Sequence, residues 1–363
     1  MTHDAARFQM SLCAAAVGFC HDGPVLMAKR LVARLVALVL ALVLGVAACT
    51  DGSADTPNSE PNETSDTGQT GPQILDRRVV VRVGAPASVE TAPLHLAINR
   101  EEFTAAEVAV RAVPVEDGQA AITGVIAGST DVGYAAATDV IRARAAGIDI
   151  RILVAGPRLG EPSHLALVTT VPTRTRLSGL PAGEIALPSQ AVLAQVALEL
   201  ASADAELPEN HFEFTQPTHA ETLAGLADGS VVAAVLEEPY LRAAVSEGAT
   251  VIGRPLDDLD LDLQLGYWFT TDDALRNKRA AVLKTATVLA LANDQAGDFS
   301  RALGTIAVSQ AGDRIPETTP PNLVQPSWGA DPDATSLERT SELLIRFGLV
   351  EDRPDLTRIT VPR

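Results

Sequence analysis

From residue 78 onward, short apolar runs alternate with longer segments whose apolar residues recur at helical spacing. The runs at 79–83, 108–113, 131–135 and 150–154 are rich in Val, Ile and Ala, and each predicts a buried strand. Between them, Thr91 is placed to cap a helix beginning at Leu94. Asp117 is placed to cap one running through Ile126, with Gly128 as its stop, and Thr138 opens one ending at Gly147. A further run at 164–170 reads as a strand leaving this first unit, with Pro172 starting a crossing segment. The alternation then resumes. Strands are expected at 184–187, 212–215 and 231–236, separated by helices from Ser189 to about 201, from Thr218 to Gly229, and from Pro239 to about 247. Thr218 and Glu221 have the spacing of a capping box. A strand at 264–271 returns to the first unit, and helices near 273–293, 297–310 and 333–347 close the chain.

Strand–helix alternation of this kind predicts an α/β fold with mostly parallel sheets flanked by helices. Leaving one unit, building a second and returning predicts two lobes, 77–168 plus 265–363 and 169–264, joined by two crossover strands that act as a hinge.

The first 76 residues follow another pattern. Lys29, Arg30 and Arg34 precede an apolar run from Leu35 to Ala48, and the composition turns polar at Thr50. Basic region, apolar core and small residues form an export signal, expected over 1–48 with Met27 as the more conventional start. An uncleaved anchor fits less well, because a spanning helix wants about 20 apolar residues and this run has 14. Val46-Ala47-Ala48-Cys49 resembles the bacterial lipoprotein box, which implies a lipid on Cys49 and attachment to the outer face of a membrane. Residues 49–76 then read as that lipidated cysteine and a disordered linker, since the tract has no large apolar residue before Ile74.

Composition removes several functions. Besides Cys49 the chain has only Cys13 and Cys20, both ahead of the expected cleavage point, so no disulfide or thiolate zinc site is expected in the mature domain. With 28 basic and 46 acidic side chains the formal charge is −18, which argues against nucleic-acid binding. No Gly-x-Ser-x-Gly elbow, P-loop or His-Glu-x-x-His occurs, and no enzymatic activity is expected. No cofactor or resident metal is expected either.

Four ordered segments carry a family resemblance. They are Ala92-Pro93-Leu94-His95-Leu96-Ala97-Ile98 leading to Phe103; Gly128-Ser129-Thr130-Asp131-Val132-Gly133-Tyr134; Asp228-Gly229-Ser230 with Val231 to Val235 and Glu237-Glu238-Pro239-Tyr240; and Leu343-Leu344-Ile345 with Gly348-Leu349-Val350. Together, over about 79–352, they resemble the solute-binding proteins of ABC importers, in the group that takes nitrate, sulfonates, taurine and thiamine precursors. Arg100-Glu101-Glu102-Phe103 departs from that group's usual Lys-Gly-aromatic turn. The resemblance implies the type II periplasmic-binding-protein fold, a small-molecule ligand, an ABC permease as partner and no enzymatic role. A monomer is expected.

Ligands of open α/β sheets sit beyond the carboxyl ends of the strands. Four loops there supply the candidate ligand-binding residues. Ser88, Glu90 and Thr91 follow the first strand; Tyr134, Ala136 and Thr138 follow the third; Ser189 and Gln190 head a helix of the second lobe; and Glu237, Glu238 and Tyr240 follow the strand at 231–236. Ser189 reads equally as a structural cap, and a tyrosine at a strand end, as Tyr134 is, more often belongs to the core. Adjacent residues at a strand end point apart, so one of Glu237 and Glu238 should face the cleft and the other the hinge or solvent. An acid desolvated there without a partner is costly, which favours a neutral or cationic ligand over a simple anion. Pairing with Arg242 or Arg158 is the alternative use of such an acid. The competing functional reading is a non-transport lipoprotein of the same fold, acting as a sensor or assembly partner.

Overall fold

The computed structural model describes residues 79–172, 176–188, 191–257, 263–329, 331–332 and 334–362. The expected export signal, Cys49 and linker lie outside these residues, as do Ser189 and Gln190.

Among the described residues, ten strands form two five-stranded sheets. The first holds β1 (Val80–Ala85), β2 (Ala109–Pro114), β3 (Val132–Ala136), β4 (Ile150–Ala155) and β10 (Gly266–Thr271), in the order β2-β1-β3-β10-β4. The second holds β5 (Leu165–Thr169), β6 (Gly183–Ala186), β7 (Phe212–Thr215), β8 (Ala233–Glu237) and β9 (Thr250–Gly253), in the order β7-β6-β8-β5-β9. β1 runs parallel to β2 and β3, and β6 runs parallel to β7 and β8. β10 is antiparallel to β3 and β4, and β5 is antiparallel to β8 and β9.

Nine strands lie where the apolar runs place them; β9 was not foreseen. It is four residues long and sits at a sheet edge, half exposed, so it has no burial pattern to read. The strand at 165–169 also differs from expectation. It pairs with β8 and β9 and belongs wholly to the second sheet, so the chain crosses before it rather than within 165–172.

Helices cover the sheets: α1 (Ala92–Asn99), α2 (Glu102–Ala105), α3 (Gly118–Ile126), α4 (Ala137–Ala145), α5 (Val192–Asp204), α6 (His219–Asp228), α7 (Tyr240–Ser246), α8 (Asp272–Gln295), α9 (Ser300–Ala311) and α10 (Ala334–Arg346). The Asp117 side chain caps α3 by accepting from the Ala120 N–H at 2.9 Å. Thr218 and Glu221 close the expected capping box on α6, and Gly229 ends that helix with φ of 78°. Thr91 is a correction. A short 3-10 turn, Val89–Thr91, precedes α1, and the Thr91 hydroxyl donates to the Pro86 and Ser88 carbonyls instead of capping the helix. Among the described residues no helix is long and apolar enough to cross a membrane.

The passage between the sheets is three segments wide. The Leu159 N–H donates to Leu263 and the Leu265 N–H to Pro157, joining the two crossovers. On the other side of the first crossover, Arg158 and Ser327 exchange backbone hydrogen bonds at 2.7 and 3.0 Å. Residues near 327, after α9, therefore form a third strap.

Candidate ligand-binding site

A cleft opens where the carboxyl ends of β1, β3 and β8 meet the crossover segments. Beyond β1, Ser88 shapes the 3-10 turn by accepting the Glu90 N–H at 3.2 Å, which turns the Glu90 carboxylate inward. Tyr134, inside β3, donates its hydroxyl to Glu90 Oε2 at 2.5 Å. His164, just before β5, meets Glu90 Oε1 through Nε2 at 2.9 Å. One carboxylate thus binds a phenol of its own sheet and an imidazole from the other.

Charge assigns the donors. Burial, and then the Glu90 charge, hold the Tyr134 hydroxyl well above its ordinary pKa, so it stays protonated and donates. Burial alone would lower the His164 pKa, but the Glu90 hydrogen bond and the charges of Glu90, Glu237 and Glu238 raise it. Two glycines let the crossovers pass over Tyr134. A Cβ at Gly156 would lie 2.7 Å from its hydroxyl, and one at Gly266 would lie 2.8 Å from the Ala135 carbonyl.

The second carboxylate comes from Glu237, the last residue of β8. It is 6% exposed, and its ladder partner is Leu165, the residue after His164. His219 of α6 places Nε2 3.9 Å from Glu237 Oε1 and stacks on Tyr240 with ring centroids 3.8 Å apart. Burial, then the charge of Arg314, lower the His219 pKa to about 4.

Glu238 points the other way and is fully buried. Its two carboxylate oxygens accept the Val324 and Arg242 backbone N–H groups, each at 3.1 Å, and its carbonyl accepts the Val89 N–H at 3.3 Å. It ties the third strap and the turn after β1 to the second sheet.

Of the expected residues, Ser88, Glu90, Tyr134, Ala136, Thr138 and Glu237 line the cleft. Thr91, Glu238 and Tyr240 do not. Thr91 bonds within its turn, Glu238 holds backbone, and Tyr240 packs into the core of the second sheet. Three polar lining residues were missed: His164, Gln264 and Thr340. Gln264 lies in the second crossover, where its Nε2 donates to the Gly156 and Pro157 carbonyls and its backbone N–H to Ser336 Oγ of α10. The sequence offers no signal that helix 333–347 folds back to the cleft. For His164, its place at the head of an apolar run beside a lobe crossing was the available clue. Apolar walls from Leu193, Leu256 and Leu263 complete the site.

No protein-family sequence model matches this chain, and no curated protein sequence matches it. Solved structures do resemble it. The alkanesulfonate-binding protein SsuA from Xanthomonas axonopodis pv. citri, bound to MOPS, is 18% identical with a TM-score of 0.62, over 78% of this chain and 98% of that one. The ligand-binding component of an ABC-type import system from Staphylococcus aureus, with zinc bound, is 12% identical with a TM-score of 0.61, over 78% and 96%. The periplasmic nitrate-binding protein NrtA from Synechocystis PCC 6803 is 12% identical with a TM-score of 0.58, over 78% and 84%. At these identities the likeness is one of fold: this chain has the two-sheet α/β fold of periplasmic solute-binding proteins of ABC importers.

Proposed function

We propose that this chain is an exported solute-binding protein that captures a small molecule in the cleft and delivers it to an ABC permease. A lipid on Cys49 would hold it at the outer face of the membrane as a monomer. Closure of the two lobes, each built on one of the sheets, about the crossovers would bury the ligand. The observation that carries this reading is the meeting, at the carboxyl ends of strands from both sheets, of Glu90, His164 and Glu237 around one cleft.

Those groups also favour a ligand class. The cleft is lined by two carboxylates and one imidazole together with the aliphatic Leu193, Leu256 and Leu263. Desolvating such a wall against a bare anion is costly. A neutral or cationic molecule that donates N–H or O–H groups fits it. In this respect the site parts from the sulfonate and nitrate binders whose fold it shares.

The test is a thermal-shift screen across amines, pyrimidines, sulfonates and oxyanions. A ligand that binds only the folded state at 100 times its Kd stabilises by about 2.7 kcal/mol. An amine or pyrimidine should raise the melting temperature, and Glu237→Gln should weaken that binding at least tenfold. A plain anion bound equally well by Glu237→Gln would overturn the ligand class. No shift with any compound would overturn the capture role. Mass spectrometry of the membrane fraction should find Cys49 acylated at a new N-terminus.

A further inference from the structure

We propose that Glu90, His164 and Glu237 form a binding site for a divalent transition-metal cation at the wall of the cleft. The proposal rests on the cleft being a ligand site and makes its occupant more specific. The three side chains bring one imidazole nitrogen and two carboxylate oxygens within 4.8 Å of one another. Two ligands 2.1 Å from a shared ion at the tetrahedral angle stand about 3.4 Å apart. Glu90 Oε1 and His164 Nε2, at 2.9 Å, are already closer than that. Small side-chain rotations are enough to enclose an ion.

The donors are also held in place. They come from three separate elements: the turn after β1, the approach to β5 and the end of β8. The ladder pairing Leu165 with Glu237 fixes two of them relative to each other. Tyr134 grips the second oxygen of Glu90, the kind of outer hydrogen bond that orients a ligating carboxylate. All three residues are at least nine-tenths buried, yet all three line the same cleft. An ion there would be screened from bulk water and keep an open coordination position facing the cleft.

His219 supplies an independent observation: its buried Nε2 makes no hydrogen bond among the described residues, although it stands 3.9 Å from Glu237 Oε1. A nitrogen so placed is within reach of an ion held by Glu237. Mixed nitrogen and oxygen donors without sulfur favour Zn²⁺ or Co²⁺ over Mg²⁺, Ca²⁺ or Cu(I).

The experiment uses the full chain, stripped with EDTA and then titrated with CoCl2, ZnCl2 or MgCl2. We expect a single equivalent of Co²⁺ to be taken up, with visible bands of a low-coordinate ion and no thiolate charge-transfer absorption. Zn²⁺ should displace it, and Mg²⁺ should not. Glu237→Gln and Glu90→Gln should each lower the affinity at least tenfold. Weak octahedral absorption, sulfur charge transfer, or undiminished uptake by both variants would overturn the site. Should a variant fail to fold by circular dichroism, the spectrum of the unaltered chain decides alone. Repeating the solute screen in EDTA separates the two readings. Solute binding without Co²⁺ uptake sinks the cation site, whereas loss of both sinks the cleft itself.

Discussion

The two sheets share one plan and differ in how they are filled. Each places an antiparallel strand between the third and fourth strands of its own series: β10 between β3 and β4, and β5 between β8 and β9. In the first sheet that strand carries Tyr267, Trp268 and Phe269, all at 0% exposure. In the second it is aliphatic, and the sheet around it is rich in alanine, with Ala166, Ala186, Ala233 and Ala234 fully buried. The first sheet also gains α8, whose Val282, Ala286 and Leu289 are buried in the same core cluster as Trp268. Its β4 edge is covered where Ile152 pairs with Thr360, while β9 leaves Val251 38% exposed. Aromatic bulk makes the first sheet the platform. Yet each sheet brings one carboxylate to the cleft, and neither makes the site alone.

The largest test of this contrast is a pair of truncations. Trp268→Ala should cost about 4 kcal/mol and Leu167→Ala about 3, since deleting a buried aromatic removes more contact and leaves a larger cavity. Denaturant midpoints measured on both would invert the comparison if Leu167→Ala proved the more damaging.

Glu238→Ala comes next. It strands the half-buried Val324 and Arg242 N–H groups and should cost about 3 kcal/mol. Glu238→Gln keeps an acceptor and should cost about half as much. Equal losses would mean that the side chain's volume matters more than its hydrogen bonds.

The third test uses pH. Burial holds Asp139, beside the first sheet, at about 6 from 3.8, despite the opposing Gln119 hydrogen bond. An acid raised on folding keeps its proton longer when folded, so stability falls as pH climbs from about 4 to about 6. His219, beside the second sheet, behaves oppositely. Its folded pKa is about 4 against 6.5, so the unfolded chain binds the proton first and stability falls as pH drops through that window. Each effect amounts to at most about 3 kcal/mol, from roughly 1.4 kcal/mol per pKa unit. In chelating buffer the two nearly cancel. Asp139→Asn should expose a stability that rises with pH between 4 and 6, and His219→Gln one that falls. Slopes unchanged by both would show that neither group is desolvated as described.

Burial periodicity made most of the fold legible. Nine strands and the capping box at Thr218 came from local pattern, because a buried run and a capped turn are local facts. The site was legible only in part, since its key contacts are pairings across sequence. Glu237 and Glu238 look alike in the chain, and what separates them is the register of β8 on β5, which sends one to the cleft and the other to Val324. His164 gains its meaning only when the turn after β1 brings Glu90 within 2.9 Å. Thr91 is well placed to cap, but it ends a 3-10 turn that offers its hydroxyl the nearer Pro86 carbonyl.

The strap near Ser327 bears on the mechanics of the whole molecule. Two strands side by side form a ribbon that twists with little resistance. A third, bonded along one edge at Arg158 and clamped to the second sheet through Val324 and Glu238, turns the ribbon into a narrow plate. Bending such a plate about its width stays easy, but twisting it shears hydrogen bonds between its members. Rotation of one sheet against the other is thereby steered toward a clamshell and away from a propeller motion. The last third of the chain, which adds no strand to either five-stranded order after β10, would in this way set the direction in which the cleft can open.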